Sequence, residues 1–227
     1  MKLIKPSTEI LTPINGEEVL KTLEKVARTC YKSEDKITNE SAPKLVKALI
    51  ERGHEAMIEF FDITVKFVCD RGVSHELVRH RIASFAQEST RYVNYSKGQF
   101  GGHLTFIIPS WLDIQEGEFN NVDDFLKFNN MKNQDNTPIG RYGFNLLQSE
   151  ASYLYLIEQG WQPQQARSVL PNSLKTEINV KMNLREWRHF FRLRCAKAAH
   201  PQMRELTIPL LEEIKSKVPV IFDDITY

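Results

Sequence analysis

Apolar positions recur along this chain with two different periods, and the switches between them mark its elements. EEVLKTLEKVARTC sets Val19, Leu20, Leu23, Val26, Ala27 and Cys30 at helical spacing, which predicts an amphipathic helix over 17–30. A second helix, about 41–52, gathers Leu45, Val46, Leu49 and Ile50 on one face and stops at Gly53. FFDITVKFVCD then changes period. Phe61, Ile63, Val65, Phe67 and Cys69 alternate with Asp62, Thr64, Lys66 and Asp70, as in a strand with one buried face. VSHELVRHRIASF predicts a short helix with Val73, Leu77, Val78, Ile82 and Phe85 inward, opening into a polar loop. LTFIIP, 104–109, predicts a strand ended by proline.

Residues 113–140 are rich in Asn and Asp with scattered aromatics, and predict an excursion holding one short helix. A long helix over 141–159 follows, ending before Gly160, and then QPQQARSVLP, a short helix closed by Pro171. TEINVKMN reads as a strand with Ile178, Val180 and Met182 on one face. REWRHFFRLRCAKAAH is expected to be helical up to Pro201, and PQMRELTIPLLEEIKSK forms the last helix, with Pro209 inside it. No repeat, low-complexity tract or linker intervenes. Helix and strand mix without a regular βαβ rhythm, which predicts one compact α+β domain over 1–227.

Composition narrows the function classes. The 227 residues are 41% hydrophobic and 26% charged, enough for a sizeable core in a globular protein. A net charge of +1 exerts no global pull on nucleic acid or membrane, so neither is expected as a partner. Cys30, Cys69 and Cys195 are far apart and form no CxxC pair, which suits a reducing cytosol. The opening MKLIKPSTEILTP lacks the apolar run of a signal peptide, so a cytoplasmic location is expected.

Against that balanced total, RHRIASFAQESTRYVNYSK (79–97) concentrates donors: Arg79, His80, Arg81, Arg91 and Lys97, with hydroxyls between them and only Glu88 in opposition. Such a stretch is either a solvated face or a site for an anionic ligand. A metal centre is not expected. His75 and His80 of SHELVRH stand five apart, about 140° around a helix, where the HExxH motif needs four. Cys195 lies on an apolar stripe with nothing to activate it, so it reads as a core residue rather than a nucleophile. The same stripe, Trp187, Phe190, Phe191, Arg194 and Ala198, carries Arg194 inward, where a guanidinium demands an anion or carbonyl partner. Either a core carboxylate or a ligand satisfies that demand. Arg185, Arg188 and Arg192 fall mostly on the solvent side of the wheel. Asn183 and Arg185 mark a strand-to-helix junction, a place suited to phosphate, and Arg167 in QARSVLP adds another guanidinium. Two separated arginine-bearing segments fit a nucleotide or dinucleotide.

RHRIASFAQESTRY resembles the signature of the flavin-dependent thymidylate synthases: an Arg-His-Arg triplet (Arg79, His80, Arg81), seven residues, Ser89, then Arg91 and Tyr92. GHEAMIEF with His54 and Glu59, ARSVLP with Arg167, NLREWRHFFRLR and AHPQMRE support the resemblance, which covers roughly 20–215. It implies an α+β subunit with an antiparallel-rich sheet, a homotetramer with active sites shared between subunits, and FAD as cofactor. The implied reaction converts dUMP to dTMP with methylenetetrahydrofolate as carbon donor and NADPH as reductant. Carried over by position, His54, Arg79, His80, Arg81, Gln87, Asn183, Arg185 and His189 contact FAD. Glu76, Arg79, Gln87, Glu88, Ser89, Thr90, Arg91, Arg167 and Arg194 surround dUMP, with Arg194 polarising the uracil. Ala86, Gln87, His189, Phe60 and Ala198 depart from residues that other members carry. Two rival readings stay open. One is a flavin- or nucleotide-binding regulator that has lost methylation. The other is an RNA-binding protein using 79–97, with Tyr92 and Tyr95 as stacking platforms.

Overall fold

The computed structural model describes residues 1–98, 102–130 and 137–227. Strands β1 (Lys2–Ile4) and β2 (Ser7–Ile10) lead into helices α1 (Gly16–Thr29) and α2 (Ser41–Glu51), then a 3-10 turn at Glu55–Phe60. Next come β3 (Asp62–Asp70), α3 (Arg71–Leu77), β4 (Ser84–Gln87), β5 (Thr105–Ile107) and β6 (Gly117–Glu118). The remainder is α4 (Val122–Phe128), α5 (Pro138–Glu158), α6 (Pro163–Ala166), β7 (Lys175–Asn183), α7 (Leu184–Arg194) and α8 (Pro201–Lys217). The sheets have the orders β5-β1-β6 and β2-β3-β7-β4, an α+β arrangement as the pattern predicted. Antiparallel pairing is prominent, as between β1 and β6, although β1 runs parallel to β5. No helix among the described residues is long and apolar enough to cross a membrane.

The chain divides into two compact units. The first comprises Met1–Ser7, Val68–Leu77 and Gln87–Ile178, and the second Thr8–Phe67, Val78–Ala86 and Asn179–Tyr227. Within the first, Leu3, Phe106, Phe125, Leu146, Tyr153 and Leu174 belong to one buried cluster. Gly143 of α5 lets the ring of Phe125 from α4 lie where a Cβ would stand. Within the second, Ile63, Val65 and Phe67 of β3 and Val180 and Met182 of β7 are buried, as their alternation required. Trp187 of α7 donates its indole N–H to the Ile63 carbonyl at 3.0 Å, and Phe190 meets Phe67 edge-on. Asn183 ends β7 and begins α7 by accepting the Glu186 N–H at 2.8 Å.

Three predicted elements differ. The helix read across VSHELVRHRIASF stops at Leu77, leaving Val78 40% and Ile82 69% exposed, and Ser84–Gln87 is strand instead. Pairing beside β7 outweighs the local helical spacing; just past it the Glu88 N–H bonds the Glu177 carbonyl at 2.8 Å. The helix expected to reach Pro201 ends at Arg194, whose carbonyl accepts the Thr207 hydroxyl at 3.0 Å. The excursion 113–140 contains β6 as well as α4, and its end belongs to α5, which Thr137 caps by accepting the Gly140 N–H. Residues 131–136 of that excursion lie outside the described residues.

Candidate functional site

In the first unit, Asp70 ends β3 and accepts the Val73 N–H at 2.7 Å, which starts α3 and carries Arg71, His75 and half-buried Glu76. The Arg71 N–H bonds the Asn172 carbonyl at 2.8 Å, joining that start to the segment after α6. Between them lies a cavity of about 360 Å³, lined by Arg71, His75, Thr90, Arg167, Ser168 and Asn172 among others. Each titratable residue lining it is basic, and Arg167 Nη1 donates to the Thr90 hydroxyl at 3.2 Å. Ser89 opens the adjoining turn, its hydroxyl accepting the Arg91 N–H at 3.3 Å. The Arg91 side chain is exposed, bonds Gln164 at 3.2 Å and lies over the Tyr92 ring.

Two residues expected at the ligand are engaged within this unit. Gln87 donates its amide to the hydroxyls of Ser74 at 3.0 Å and Thr176 at 3.2 Å. A carboxylate in its place would have no proton to donate to them. Glu88 accepts from the Tyr95 hydroxyl at 2.8 Å and from Lys175 at 3.1 Å. Tyr95 is 6% exposed and rests against Tyr153, and burial pushes its hydroxyl far above the usual phenol range. It cannot stack on a base, which removes one of the two platforms the RNA reading required.

In the second unit, Asn183 at the end of β7 and Arg185, Glu186, His189 and Arg192 of α7 line a cavity of about 500 Å³ together with Glu55 and Glu59. Arg185 Nη1 donates to Glu59 at 2.6 Å. His54 is exposed at the start of the neighbouring 3-10 turn, and Arg79 and Arg81 are exposed on either side of His80. His80 itself is 5% exposed, with Nδ1 3.3 Å from Glu186 and Nε2 accepting the Arg194 Nε–H at 3.0 Å. Burial first, then the charges of Arg194 and His189, lower its pKa to about 4. His80, Glu186 and His189 are the one grouping of metal-ligating side chains among the described residues, their ligand atoms within 4.8 Å of one another. Both nitrogens of His80 are already engaged, and the Arg194 guanidinium beside them repels a cation.

The helical wheel misplaced one arginine. Arg188, read as facing solvent, is 1% exposed. Asp224 takes it in two bonds of 2.6 and 2.9 Å, Glu55 adds a third at 3.1 Å, and the Ile221 carbonyl a fourth. The Arg188 and Arg192 bonds hold the Asp224 carboxyl down at about 2. Arg194, which the apolar stripe carried inward, is half-buried rather than buried. Cys195 is fully buried and its thiol is raised by burial, as expected of a core residue.

A family profile described as thymidylate synthase complementing protein matches residues 14–220. The chain belongs to that family. A flavin-dependent thymidylate synthase of Geobacter sulfurreducens is 29% identical over 205 residues, covering 87% of this chain and 78% of the relative. One from Corynebacterium efficiens is 31% identical over 222 residues, covering 94% and 81%. A UMP/dUMP methylase, PolB from Streptomyces cacaoi, crystallised with 5-Br dUMP, shares the fold at a TM-score of 0.74 and 19% identity, covering 98% and 96% of the two chains.

Membership of the flavin-dependent thymidylate synthase family makes the chain an enzyme. The family signature did not single out Arg71, Glu55, Glu186 or Arg192, all of which line the two cavities. Glu59 had been noted in GHEAMIEF, and Glu55 was visible only as an acidic residue four positions before it. Glu186, three residues after the capping Asn183, was visible as the Asn-x-x-Glu start of a helix.

Proposed function

We propose that this protein catalyses the reductive methylation of dUMP to dTMP, with methylenetetrahydrofolate as carbon donor, NADPH as reductant and FAD as cofactor. It works in the cytoplasm as a homotetramer whose active sites are shared between subunits. One observation carries the reading: the cavity of Arg71, His75, Thr90 and Arg167 holds basic and hydroxyl donors without a carboxylate. It therefore suits a phosphomonoester, and it is built around Arg167 and Thr90, to which the family resemblance assigns dUMP. Ser89 and Arg91 adjoin it in sequence.

The second unit's cavity fits FAD by its donor set. Arg185 and Arg192 offer guanidiniums to a pyrophosphate, and α7 directs its N-terminal N–H groups toward the end occupied by Asn183 and Arg185. An anion entering there exchanges with Glu59 on Arg185. His54, Arg79, Arg81 and His189 complete the set that would hold the cofactor. Bound there and reduced by NADPH, FAD would supply the hydride chemistry that completes the new methyl group.

Arg194 then stabilises negative charge on the N3–C4=O edge of uracil, without which C5 is a poor nucleophile. Shared sites allow Arg167 of one copy and Arg194 of another to serve the same dUMP. No cysteine need attack the ring, consistent with a Cys195 thiol raised by burial. The test is incubation of FAD-loaded protein with dUMP, methylenetetrahydrofolate and NADPH. dTMP is the expected product, and its absence overturns the reading.

A further inference from the structure

The resemblance places His80 among the flavin contacts, yet its ring is spent on the protein. A guanidinium has no acceptor, so the 3.0 Å contact from Arg194 Nε to His80 Nε2 requires that nitrogen to carry a lone pair. In the neutral ring the proton then sits on Nδ1, where Glu186 Oε1 stands 3.3 Å away to receive it. Phe190 and His189 meet the ring edge-on at centroid distances of 4.9 and 5.9 Å, which fixes its plane. Glu186, His189, Phe190 and Arg194 all come from α7, so that one helix grips the histidine from several sides.

From these contacts we infer that His80 is a positioning residue, which holds the Arg194 guanidinium in place as a neutral hydrogen-bond acceptor. The backbone of Arg194 is pinned separately, by the Thr207 hydroxyl on its carbonyl at 3.0 Å. Backbone and side chain are thus restrained from two directions, the condition under which a charged group stabilises developing negative charge without reorganising. Solvation agrees with this role. A pKa of about 4 keeps the ring neutral at the pH of the cell, and a protonated ring would both lose its acceptor and repel Arg194.

The inference rests on the thymidylate synthase reading for its kinetic consequence but not for its geometry, and two measurements separate them. The first compares FAD-loaded wild type, His80→Ala and His80→Gln in dTMP formation at saturating dUMP and increasing FAD. Glutamine offers a carbonyl to Arg194 and an amide to Glu186, so it reproduces both bonds. His80→Ala should lose about 10- to 100-fold in kcat, and the loss should persist at saturating FAD. His80→Gln should return to within about threefold of wild type. An alanine deficit erased by excess FAD makes His80 a flavin contact and overturns the inference, as does a glutamine variant no better than alanine.

The second measurement is on FAD-loaded wild-type protein carrying nitrogen-15 in histidine and arginine. A scalar coupling between Arg194 Nε and an unprotonated His80 Nε2 is expected, and a protonated Nε2 overturns the inference. Should wild type form no dTMP, the proposed activity falls while this spectrum still decides whether His80 holds Arg194. It also decides the matter if His80→Ala fails to fold.

Discussion

Arg167 and Arg188 carry the same charge but are held in opposite ways. Arg167 is exposed and bonds a neutral hydroxyl, whereas Arg188 is buried between two carboxylates and a carbonyl. Only the first can exchange its partner for a phosphate at little cost. Arg167→Ala should therefore raise the KM for dUMP by about 10- to 100-fold, the worth of one charge-assisted hydrogen bond, with a smaller change in kcat. Steady-state kinetics check this, and a kcat that falls as steeply as kcat/KM would contradict it. The neutral His80 has a consequence for stability. Its pKa of about 4 in the fold, against 6.5 for an ordinary histidine, means that the unfolded chain takes up a proton first as pH falls. The associated stability is complete above pH 6.5 and is lost as pH falls to about 4. Urea denaturation across that window should show a decline in wild type that is flatter in His80→Gln. Arg194 was legible because its neighbours on the wheel are Trp187, Phe190 and Phe191. Arg188 was not, because the groups that bury it, Asp224 and the Ile221 carbonyl, lie more than thirty residues further along the chain.

Elements were readable wherever one face met the core and the other did not. Strands β3 and β7 alternate over nine residues each, so their pattern left no alternative, and α1 was read to within a residue or two of its ends. Strand β4 has only four residues and follows apolar positions at helical spacing, so its pairing was invisible locally. The one short helix expected in the polar excursion is α4, but its buried residues, Phe125 and Leu126, are adjacent and give no period, so its bounds were not legible. That helix makes a demand on α5. At Gly143 an added Cβ would overlap the Phe125 ring, so Gly143→Ala should destabilise by about 1–3 kcal/mol despite alanine's better helix propensity. A thermal melt above that of wild type would refute the close approach. At the C-terminal end of the chain, Asp224 ties Arg188 and Arg192 of α7 to the segment following α8. Asp224→Asn should cost about 1–2 kcal/mol at neutral pH, a discounted figure because Asp224 is partly exposed. The carboxyl is held at about 2 instead of 3.8, so its contribution is present above pH 3.8 and lost toward pH 2. Denaturation curves of the two proteins should accordingly converge in acid.

At the scale of the molecule, a net charge of +1 conceals two local arrangements: a cavity whose titratable lining is basic alone in one unit, and one lined by both arginines and glutamates in the other. The residues proposed to act on one dUMP, Arg167 and Arg194, belong to different units. If active sites are shared between subunits, lesions in those two residues should complement each other. Arg167→Ala leaves Arg194 intact, and Arg194→Ala leaves Arg167 intact. Assayed at dUMP well below the raised KM of Arg167→Ala, each variant alone should form dTMP weakly or not at all. Co-expressed with two distinguishable tags and purified on both in sequence, they form mixed tetramers. A site then works when its Arg194 comes from the first variant and its Arg167 from the second. With subunits mixed at random, about one site in four meets that condition, so the mixture should approach a quarter of wild-type activity. The remaining sites carry one lesion or both. A site built within a single chain contains one lesion in every copy, and co-expression then restores nothing. Sedimentation equilibrium gives the companion measurement: a species of four times the 26.4 kDa subunit is expected for wild type and for the mixture alike. A dimer that still complements would retain the shared site while rejecting the tetramer. A tetramer that fails to complement would confine each site to one chain.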